Sequence, residues 1–548
     1  MNIFRHTRLV GLLAILLVAG LMSIGPNSYR RTRAAGTTLI NRKLSASWQV
    51  NYAGEPPYVI SPDGKRVVFH VRESGWGREL LSAPTDGASP PVRIVGLLPE
   101  DASFERFAIT PDSSRVVYVA QQDSPAAFEI YSVSIAGGPS TKLNDELVDG
   151  GSVDFEFAVA PDSSRVVYIA DQDIDGLRGV YSVPIQGGAA TKLDGATTTG
   201  VGFQSLAISA DSTTLVYLSN KETPNGAQLY RVPIGGGPVV RLNSPLVTGG
   251  RVSNFAISPD STRVVYRADQ DLVGRYELFS VPIEGGPVTK LNPELVPGGA
   301  VYEFAISSNS QWVVYRAVQE TNAAVPDMFS VPIAGGAATR LNGQLGGGNV
   351  NFRYAISPDS SRVIYSAEQY PLTDGYELYG VPIDGGTVTR LSGNILGGDY
   401  YIHFAVAPDS SRVVYHVDQA QVEKYELFSV PSVGGVATRL NSSLGSGGDV
   451  HSFDISPDSK WAIYIANQDA GDPGELFGVP IGGGVSTRLS GDLVDGGGVR
   501  RAEYTPESQR ALYLADQDTD EIYGLYATFD DSQLTRRLYF LPGVASNE

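Results

Sequence analysis

Residues 254–292 read NFAISPDSTRVVYRADQDLVGRYELFSVPIEGGPVTKLN, and this stretch contains the pattern that decides the fold. It holds four short runs rich in β-branched and aromatic residues: Asn254–Ile257, Val264–Ala268, Glu277–Val281 and Val288–Leu291. Runs of this length and composition, bounded by turn-forming residues, are typical of β-strands. We therefore expect four strands in this stretch.

The connectors between these runs favour tight turns. Pro259-Asp260 lies between the first two runs and Gly285-Gly286 between the last two. Proline presets φ at the second position of a turn, and glycine tolerates positive φ, so both connectors suit hairpins. The four strands should form one antiparallel sheet.

The stretch recurs along almost the whole chain. We use as the anchor of each copy the acidic residue of Ser-Pro-Asp or its variants, and successive anchors lie 49 or 50 residues apart. The ten anchors are Asp63, Asp112, Asp162, Asp211, Asp260, Asn309, Asp359, Asp409, Asp458 and Glu507. A fixed period of this size indicates a repeat architecture, and a repeated four-stranded antiparallel unit is typical of a β-propeller blade. The sequence thus predicts an all-β fold of ten four-stranded blades.

Three columns of the repeat predict how the blades pack. A large ring or Leu lies five residues before most anchors, as Phe255 does, and Ala lies four before seven of them, as Ala256 does. An aromatic residue, such as Tyr266, lies six after each anchor. Bulky and small faces allow neighbouring sheets to interdigitate, and Phe255 and Tyr266 should pair across the first hairpin. We interpret these columns as core.

The repeat resembles a known family. FAISPDSTRVVYRADQ at 255–270, followed by ELFSVPIEGG at 277–286, is similar to the TolB-type, WD40-like propeller unit of many bacterial envelope proteins. The resemblance covers roughly residues 38 to 543. It implies a propeller with a binding surface at its mouth and a protein or saccharide partner. The N-terminal α/β domain of TolB itself has no counterpart here.

The N-terminal segment predicts export. Residues 1–35 carry Arg5 and Arg8 and then an uncharged apolar run from Leu9 to Ile24, which has the length of a signal-peptide core. Arg30, Arg31 and Arg33 follow the run, so an uncleaved membrane anchor is the alternative. We expect residues 36–548 to form the repeat array in a secreted, periplasmic or cell-surface protein.

Charge and cysteine content narrow the partners. The formal net charge is -18, and the chain contains no cysteine. An acidic surface repels nucleic acid and anionic headgroups, so we expect no nucleic-acid partner and membrane association only through an uncleaved N-terminus. The absence of cysteine excludes disulfides, a lipid-modified cysteine and thiolate metal sites.

The array offers two arrangements, one wide ring or two smaller propellers. No spacer or change of composition divides it, which favours one ring. Thr38–Leu44 resembles a fourth strand without its blade, and we expect it to close the ring on the last copy. The segment Leu534–Leu541 competes for that place.

The loops between the second and third strands are candidate cation sites. Residues 171–176 read DQDIDG, and Asp171, Asp173 and Asp175 alternate as the ligands of a calcium loop do. Ser182 stands where a calcium loop of this kind would place its twelfth-position Glu. The alternative is a solvated loop whose acidic residues bond their own backbone. Calcium is the candidate cofactor.

The residue six before each anchor varies between copies and begins the innermost strand. We expect these side chains to line the rim of the channel and to bind a ligand there. The alternative is that they bridge neighbouring blades, and Glu303 and Arg316 should pair in this way. The candidate rim residues are Arg106, Glu156, Asn254, Glu303, Arg353, His403 and Arg501.

Three histidines suggest a second metal site. His403 and His416 should be cross-strand neighbours, and His451 lies at the matching end of the next copy. Three imidazoles suit a transition metal, with Asp399 or Asp449 nearby. The alternative is a set of unrelated rim histidines.

No motif marks a catalytic site. G-x-S-x-G, P-loop and H-E-x-x-H patterns are absent from the sequence, and no carboxylate pair stands out as an acid and a base. We therefore predict a non-enzymatic, exported propeller that binds protein or polysaccharide through its channel-mouth loops. The alternative is a metal-dependent polysaccharide lyase or glycosidase acting at the rim.

Overall fold

A computed structural model describes residues 39–43 and 57–530. Within the second range it leaves out short segments at 73–77, 96–97, 99–101, 197, 199, 223–225, 321–324, 346–347, 370–374, 394, 396–401, 420 and 472. The described residues form strands, turns and bends and contain no helix. In this part of the chain nothing is long, apolar and helical enough to cross a membrane. The predicted export segment 1–35 and the segment 534–541 lie outside the described residues.

The first half of the array contains blades 1 to 5, preceded by an isolated strand. The strands are β1 (Leu39–Lys43); blade 1, β2 (Tyr58–Ile60), β3 (Arg66–Arg72), β4 (Arg78–Pro84) and β5 (Val92–Val95); blade 2, β6 (Phe104–Ile109), β7 (Arg115–Ala120), β8 (Glu129–Ser134) and β9 (Thr141–Lys142); blade 3, β10 (Val153–Val159), β11 (Arg165–Ala170), β12 (Gly179–Pro184) and β13 (Thr191–Gly195); blade 4, β14 (Phe203–Ile208), β15 (Thr214–Ser219), β16 (Gln228–Pro233) and β17 (Val240–Arg241); blade 5, β18 (Val252–Ile257), β19 (Arg263–Ala268), β20 (Glu277–Pro282) and β21 (Thr289–Lys290).

The second half contains blades 6 to 10. The strands are blade 6, β22 (Val301–Ile306), β23 (Trp312–Ala317), β24 (Asp327–Pro332) and β25 (Thr339–Arg340); blade 7, β26 (Val350–Ile356), β27 (Arg362–Ala367), β28 (Glu377–Pro382) and β29 (Thr389–Arg390); blade 8, β30 (His403–Val406), β31 (Arg412–Val417), β32 (Glu426–Pro431) and β33 (Thr438–Arg439); blade 9, β34 (Asp449–Ile455), β35 (Trp461–Asn467), β36 (Glu475–Pro480) and β37 (Thr487–Arg488); blade 10, β38 (Val499–Tyr504), β39 (Ala511–Ala515) and β40 (Gly524–Asp530).

The predicted sheet and its register are confirmed. Each blade is a four-stranded antiparallel sheet in sequence order, and Phe255 lies opposite Tyr266 as the repeat columns predict. Tyr266 also stacks on Phe279 of the third strand, with ring centroids 5.3 Å apart. Because side chains alternate across each sheet, the two faces of a blade pack against different neighbours. The core is therefore divided among the blade interfaces.

The chain closes into one ring of ten blades. A hydrophobic cluster fills the interface between every pair of successive blades. A further cluster joins Tyr58 and Phe69 of blade 1 to Leu512 and Leu525 of blade 10. β1 supplies the fourth strand of blade 10 by pairing antiparallel with β40. The predictions of a single ring and of closure by residues 38–44 are confirmed.

A repeated hydrogen bond joins the turns of neighbouring blades. The N–H of Asp260 donates to Ser310 Oγ of the next blade at 2.9 Å. Ser310 follows its own anchor and adopts φ 60°, the left-handed region that usually favours glycine or asparagine. That conformation costs a serine about 1–2 kcal/mol, and the inter-blade bond offsets part of this cost. The serine is kept because its hydroxyl reaches the next blade.

The joint between blades 10 and 1 replaces both partners of this bond. Glu507 stands at the anchor of blade 10, and Gly64 stands in blade 1 where the other blades have serine. A Cβ at position 64 would overlap the Glu507 carboxylate, whose Oε2 is buried without a hydrogen-bond partner among the described residues. The longer acid therefore occupies the space that the absent serine side chain leaves.

We predict that Gly64→Ser lowers the free energy of unfolding by about 1–3 kcal/mol, because the new side chain overlaps the Glu507 carboxylate. Adding Glu507→Asp should recover most of the loss, since the pair then matches the other blades. Urea unfolding of wild type, both single variants and the double variant measures the coupling. Additive effects of the two substitutions would contradict this account of the joint.

Candidate functional site

The connectors divide between two faces of the ring. The turns between first and second strands lie beside those between third and fourth, as the bond from Ile283 N–H to Thr262 O shows. The loops between second and third strands lie beside the connections to the next blade, where Val247 N–H donates to Gln270 O. We call the first the turn face and the second the loop face. The innermost strands begin at the loop face.

The start of most innermost strands is bulged. In blade 6 the pairing register shifts between Val301 and Glu303, and Tyr302 is exposed at the shift. A β-bulge leaves an extra residue unpaired and re-aims its side chain. The same shift occurs in blades 2, 3, 4, 5, 7, 9 and 10. The rim therefore presents two successive residues per blade where the sequence predicted one.

The sequence reasoning missed the residue seven before the anchor. Three large aromatic side chains occupy this column and are exposed, Phe155 at 44%, Tyr302 at 40% and Phe352 at 46%. Their signal was available, because three aromatic residues stand out in a column that is otherwise mostly polar. Exposed aromatic rings at a channel mouth are surfaces on which peptides or sugars pack.

Several predicted rim residues contact the neighbouring blade. Glu156 Oε1 accepts the N–H of Leu206 at 2.9 Å, and the Arg106 guanidinium lies 5.1 Å from the centre of the Phe157 ring. Arg353 Nη1 lies 3.4 Å from His403 Nδ1.

The remaining rim residues differ in their surroundings. Arg501 lies 5.1 Å from the centre of the Tyr58 ring. Glu303 pairs with Arg316 at 2.6 Å, as predicted. Asn254 is exposed. These side chains hold the rim together, and ligand binding by this column stays a prediction.

The first acidic residue of each loop is structural. Asp269 is 2% exposed, and its carboxylate accepts the N–H groups of Arg251 at 2.6 Å and Gly274 at 2.8 Å. Asp171 accepts those of Ser152 and Gly176 in the same way. This local bonding is the alternative that the sequence offered, and it fixes the loop to the connector beside it.

The other two acidic residues of the 171 loop have separate surroundings. Asp173 accepts hydrogen bonds from Lys192 Nζ at 2.7 Å and from the Tyr181 hydroxyl at 2.9 Å, and the Lys192 bond lowers its pKa. Asp175 lies beside Gly150 of the preceding connector. Among the described residues, no three His, Asp or Glu side chains are grouped so that they could hold a metal ion. Calcium binding by Asp171, Asp173 and Asp175 stays a prediction.

We predict that Asp269→Ala lowers the free energy of unfolding by about 1–3 kcal/mol, equally in Ca²⁺ and in EDTA, because it leaves buried N–H groups unpaired. Asp271→Ala is the matched control, since Asp271 is exposed in the same loop. Thermal unfolding with and without Ca²⁺ measures both. A loss that appears only in Ca²⁺ would show that the loop carboxylate acts through a cation.

The three histidines lie on two adjacent blades. His403 is opposite His416, with ring centroids 6.4 Å apart, and His451 is exposed. His416 Nε2 lies 2.6 Å from Val450 O and donates its proton there. Asp449 accepts the N–H of Tyr425, and Asp399 lies outside the described residues. One nitrogen of His416 is thus already committed to the protein, and the transition-metal site stays a prediction.

His416 takes the place that arginine has in two other blades. Arg267 donates to Val301 O at 2.7 Å, and Arg316 donates to Val350 O at 2.9 Å. Arg267 also lies over the Tyr276 ring, as His416 lies beside Tyr425. Burial lowers the pKa of His416 to about 4, and the nearby His403 adds to this effect. The ring is therefore neutral at pH 7.

We predict that His416→Arg preserves folding at pH 7 and reduces the loss of stability in acid. Because the unfolded histidine binds a proton near pH 6.5 and the folded one only near pH 4, wild type loses about 1–2 kcal/mol between pH 7 and 5 at this position. Urea unfolding at both pH values compares His416→Arg with the exposed control His451→Gln. An identical acid loss in wild type and His416→Arg would contradict the assignment.

Exposed aliphatic side chains lie at the tips of several second-to-third-strand loops. Ile174, Leu272, Val273 and Val422 are each more than half exposed, and Ile522 is 42% exposed. In the loops at 171–178, 269–276, 418–425 and 516–523, acidic residues outnumber basic ones. The loop face thus combines apolar tips with an excess of negative charge.

Two cavities open at this face. One of about 200 Å³ is lined by Phe155, Asp171 and Arg178 among others, and one of about 480 Å³ by Glu222, Arg241 and neighbouring residues. The smaller cavity joins a rim aromatic residue to the 171 loop.

Comparison with known proteins gives the fold. No protein-family model matches the sequence, and no curated protein matches it. A solved TolB candidate from Agrobacterium tumefaciens is similar over 47% of this chain and 85% of its own, with 16% identity and a TM-score of 0.28. An oligogalacturonate lyase from Vibrio parahaemolyticus is similar over 69% of this chain and 96% of its own, with 13% identity and a TM-score of 0.32. A prolyl endopeptidase is similar over 67% of this chain and 55% of its own, with 12% identity and a TM-score of 0.36.

These likenesses concern the fold alone. A TolB-type propeller is among the structures that this chain is similar to, in line with the resemblance of its repeat. The solved neighbours include enzymes as well, so they do not separate a binding role from a catalytic one. We conclude that the chain is a ten-bladed, TolB-like β-propeller.

Proposed function

We propose that this protein is an exported, non-enzymatic propeller that binds a protein or polysaccharide partner through its loop face. One observation carries the proposal: large apolar side chains that a soluble propeller has no structural need to expose are gathered at the loop tips and at the rim on this face. Exposed apolar groups rimmed by polar residues mark interaction surfaces. The binding role then belongs to the connectors, while the blades act as scaffold.

The charge of the loops limits the partner. Asp271, Asp175 and Asp520 are exposed beside the aliphatic tips. Acidic groups attract cationic partners and slow the approach of anionic ones, with a strength that salt reduces. A partner surface that combines basic residues with apolar ones fits this face best. Binding should therefore weaken as salt concentration rises.

The experiment compares two faces of the same protein. Leu272→Ser with Val273→Ser removes apolar side chains from a loop tip that are 56% and 53% exposed. The matched control, Val436→Ser with Val485→Ser, removes valines on the turn face that are 88% and 85% exposed. Both double variants should unfold within about 0.5 kcal/mol of wild type.

We predict that the loop-tip variant loses at least tenfold in affinity for a partner captured from cell-envelope or extracellular extract, while the turn-face variant binds like wild type. Immobilised residues 36–548 capture the partner, and titration of the purified partner gives the affinities. Equal affinities in all three proteins would place the binding surface elsewhere and contradict the proposal.

The alternative is a metal-dependent lyase or glycosidase at the rim. It requires a metal held by His403, His416 and His451, although His416 already donates to Val450 O. Metal content of the purified protein separates the two functions. Stoichiometric metal that a triple alanine variant loses, together with shortened glycan products, would support the enzyme.

A further inference from the structure

Blade 10, which β1 completes, is flanked by acidic residues that the other joints lack. The column four before the anchor holds Ala in seven blades, but Asp454 in blade 9 and Glu503 in blade 10. Glu507 replaces the shorter acid or amide at the anchor of blade 10. All three departures from the repeat lie at the two interfaces of the closing blade.

Asp454 lies at the interface of blades 9 and 10. Its Oδ2 accepts the N–H of Tyr504 in blade 10 at 2.9 Å, and its Oδ1 accepts the N–H of Ile455. Burial raises the pKa of Asp454 to about 6, and the negative charge of Glu503 adds to this effect. The Arg501 guanidinium and the two N–H bonds oppose it. The folded protein therefore holds the proton on Asp454 more tightly than an unfolded chain would.

Glu503 lies at the interface of blades 10 and 1. Arg501 Nη2 is 3.6 Å from Glu503 Oε1, and the same guanidinium lies over the Tyr58 ring of blade 1. Tyr58 is 1% exposed. Burial raises the pKa of Glu503, and Arg501 offsets only part of the increase. Burial and Glu503 together raise the pKa of Tyr58, which stays protonated.

Glu507 lies at the turn-face edge of the same interface. Burial raises its pKa, and the charge of Asp63 in blade 1 adds to this, while Arg510 at 3.2 Å opposes it. Lys65 lies 3.5 Å from Asp63 and screens that charge in part. Ionised Glu507 thus faces a second acid across the joint between blades 10 and 1.

We infer that blade 10 is a pH-sensitive latch, whose docking between blades 9 and 1 tightens in mild acid and loosens as Asp454, Glu503 and Glu507 ionise. A carboxyl group that binds its proton more tightly when docked favours docking below its docked pKa and opposes it above. The weakening should therefore develop as pH rises through about 6, the range set by Asp454. The cations Arg501, Arg510 and Lys65 stay charged throughout and reduce the effect without removing it.

The latch is independent of what the loop face binds. A sub-global opening of blade 10 would expose its backbone N–H groups while the rest of the ring stays closed. Residues 524–530 form its third strand, and residues 277–282 form the same strand in blade 5. Comparing the two strands within one sample corrects for the effect of pH on intrinsic exchange.

The experiment is hydrogen–deuterium exchange with mass spectrometry on the purified protein at pH 5 and pH 8. We expect exchange of 524–530 relative to 277–282 to rise about tenfold at the higher pH, the factor that corresponds to one pKa unit. The variant Asp454→Ala/Glu503→Ala, which restores the residue of seven other blades, should abolish the change. An unchanged ratio in wild type would overturn the inference.

A second variant guards against misfolding. Asp454→Asn/Glu503→Gln keeps the side-chain shapes and removes the charges, and it should hold the exchange ratio at its acidic value at both pH values. A ratio that still rises in this variant would show that other groups control the opening and would overturn the inference as well.

Discussion

The hydrogen bond from each anchor N–H to a serine hydroxyl of the next blade is the constraint on which the ring depends. It joins turns that are about fifty residues apart in sequence, and it requires the serine to keep a positive φ that its side chain alone would not favour. The interfaces behind these turns are filled by valine, leucine and tyrosine, so the bond sets the spacing at one edge while apolar packing fills the rest. The serines of the described bonds are Ser113, Ser163, Ser212, Ser261, Ser310, Ser360, Ser410, Ser459 and Ser508.

A body fixed in this way confines variation to the loop face. Within the loops, the first acidic residue and the following glutamine belong to the scaffold, because Asp269 binds the connector and Gln270 accepts from the Tyr266 hydroxyl at 3.1 Å. What remains free to differ between blades is the loop tip and the bulged start of the inner strand. These positions present the aliphatic and aromatic side chains to which we assign binding.

The sequence predicted the fold well because each structural requirement repeats. Alternation in the strands, turn formers at fixed positions and matching aromatic columns gave the blades and their register, and Thr38–Leu44 closed the ring as a strand without a blade. The rim was harder to predict, because a bulge depends on how the strand pairs and not on its own residues. The roles of Asp269 and His416 depend on groups in a neighbouring connector or blade, so polar residues in the loop and at the rim looked like ligands although they hold structure. The acidic joint of blade 10 was visible as a departure from the repeat, but its burial required the closed ring.

The central claim is that ten blades form one closed ring completed by β1. Single-particle electron microscopy of recombinant residues 36–548 tests it most directly, since end-on averages show the number and arrangement of the blades. The account predicts one continuous ring of ten radial blades around a central channel. Two smaller rings, or an arc open beside blade 10, would contradict it.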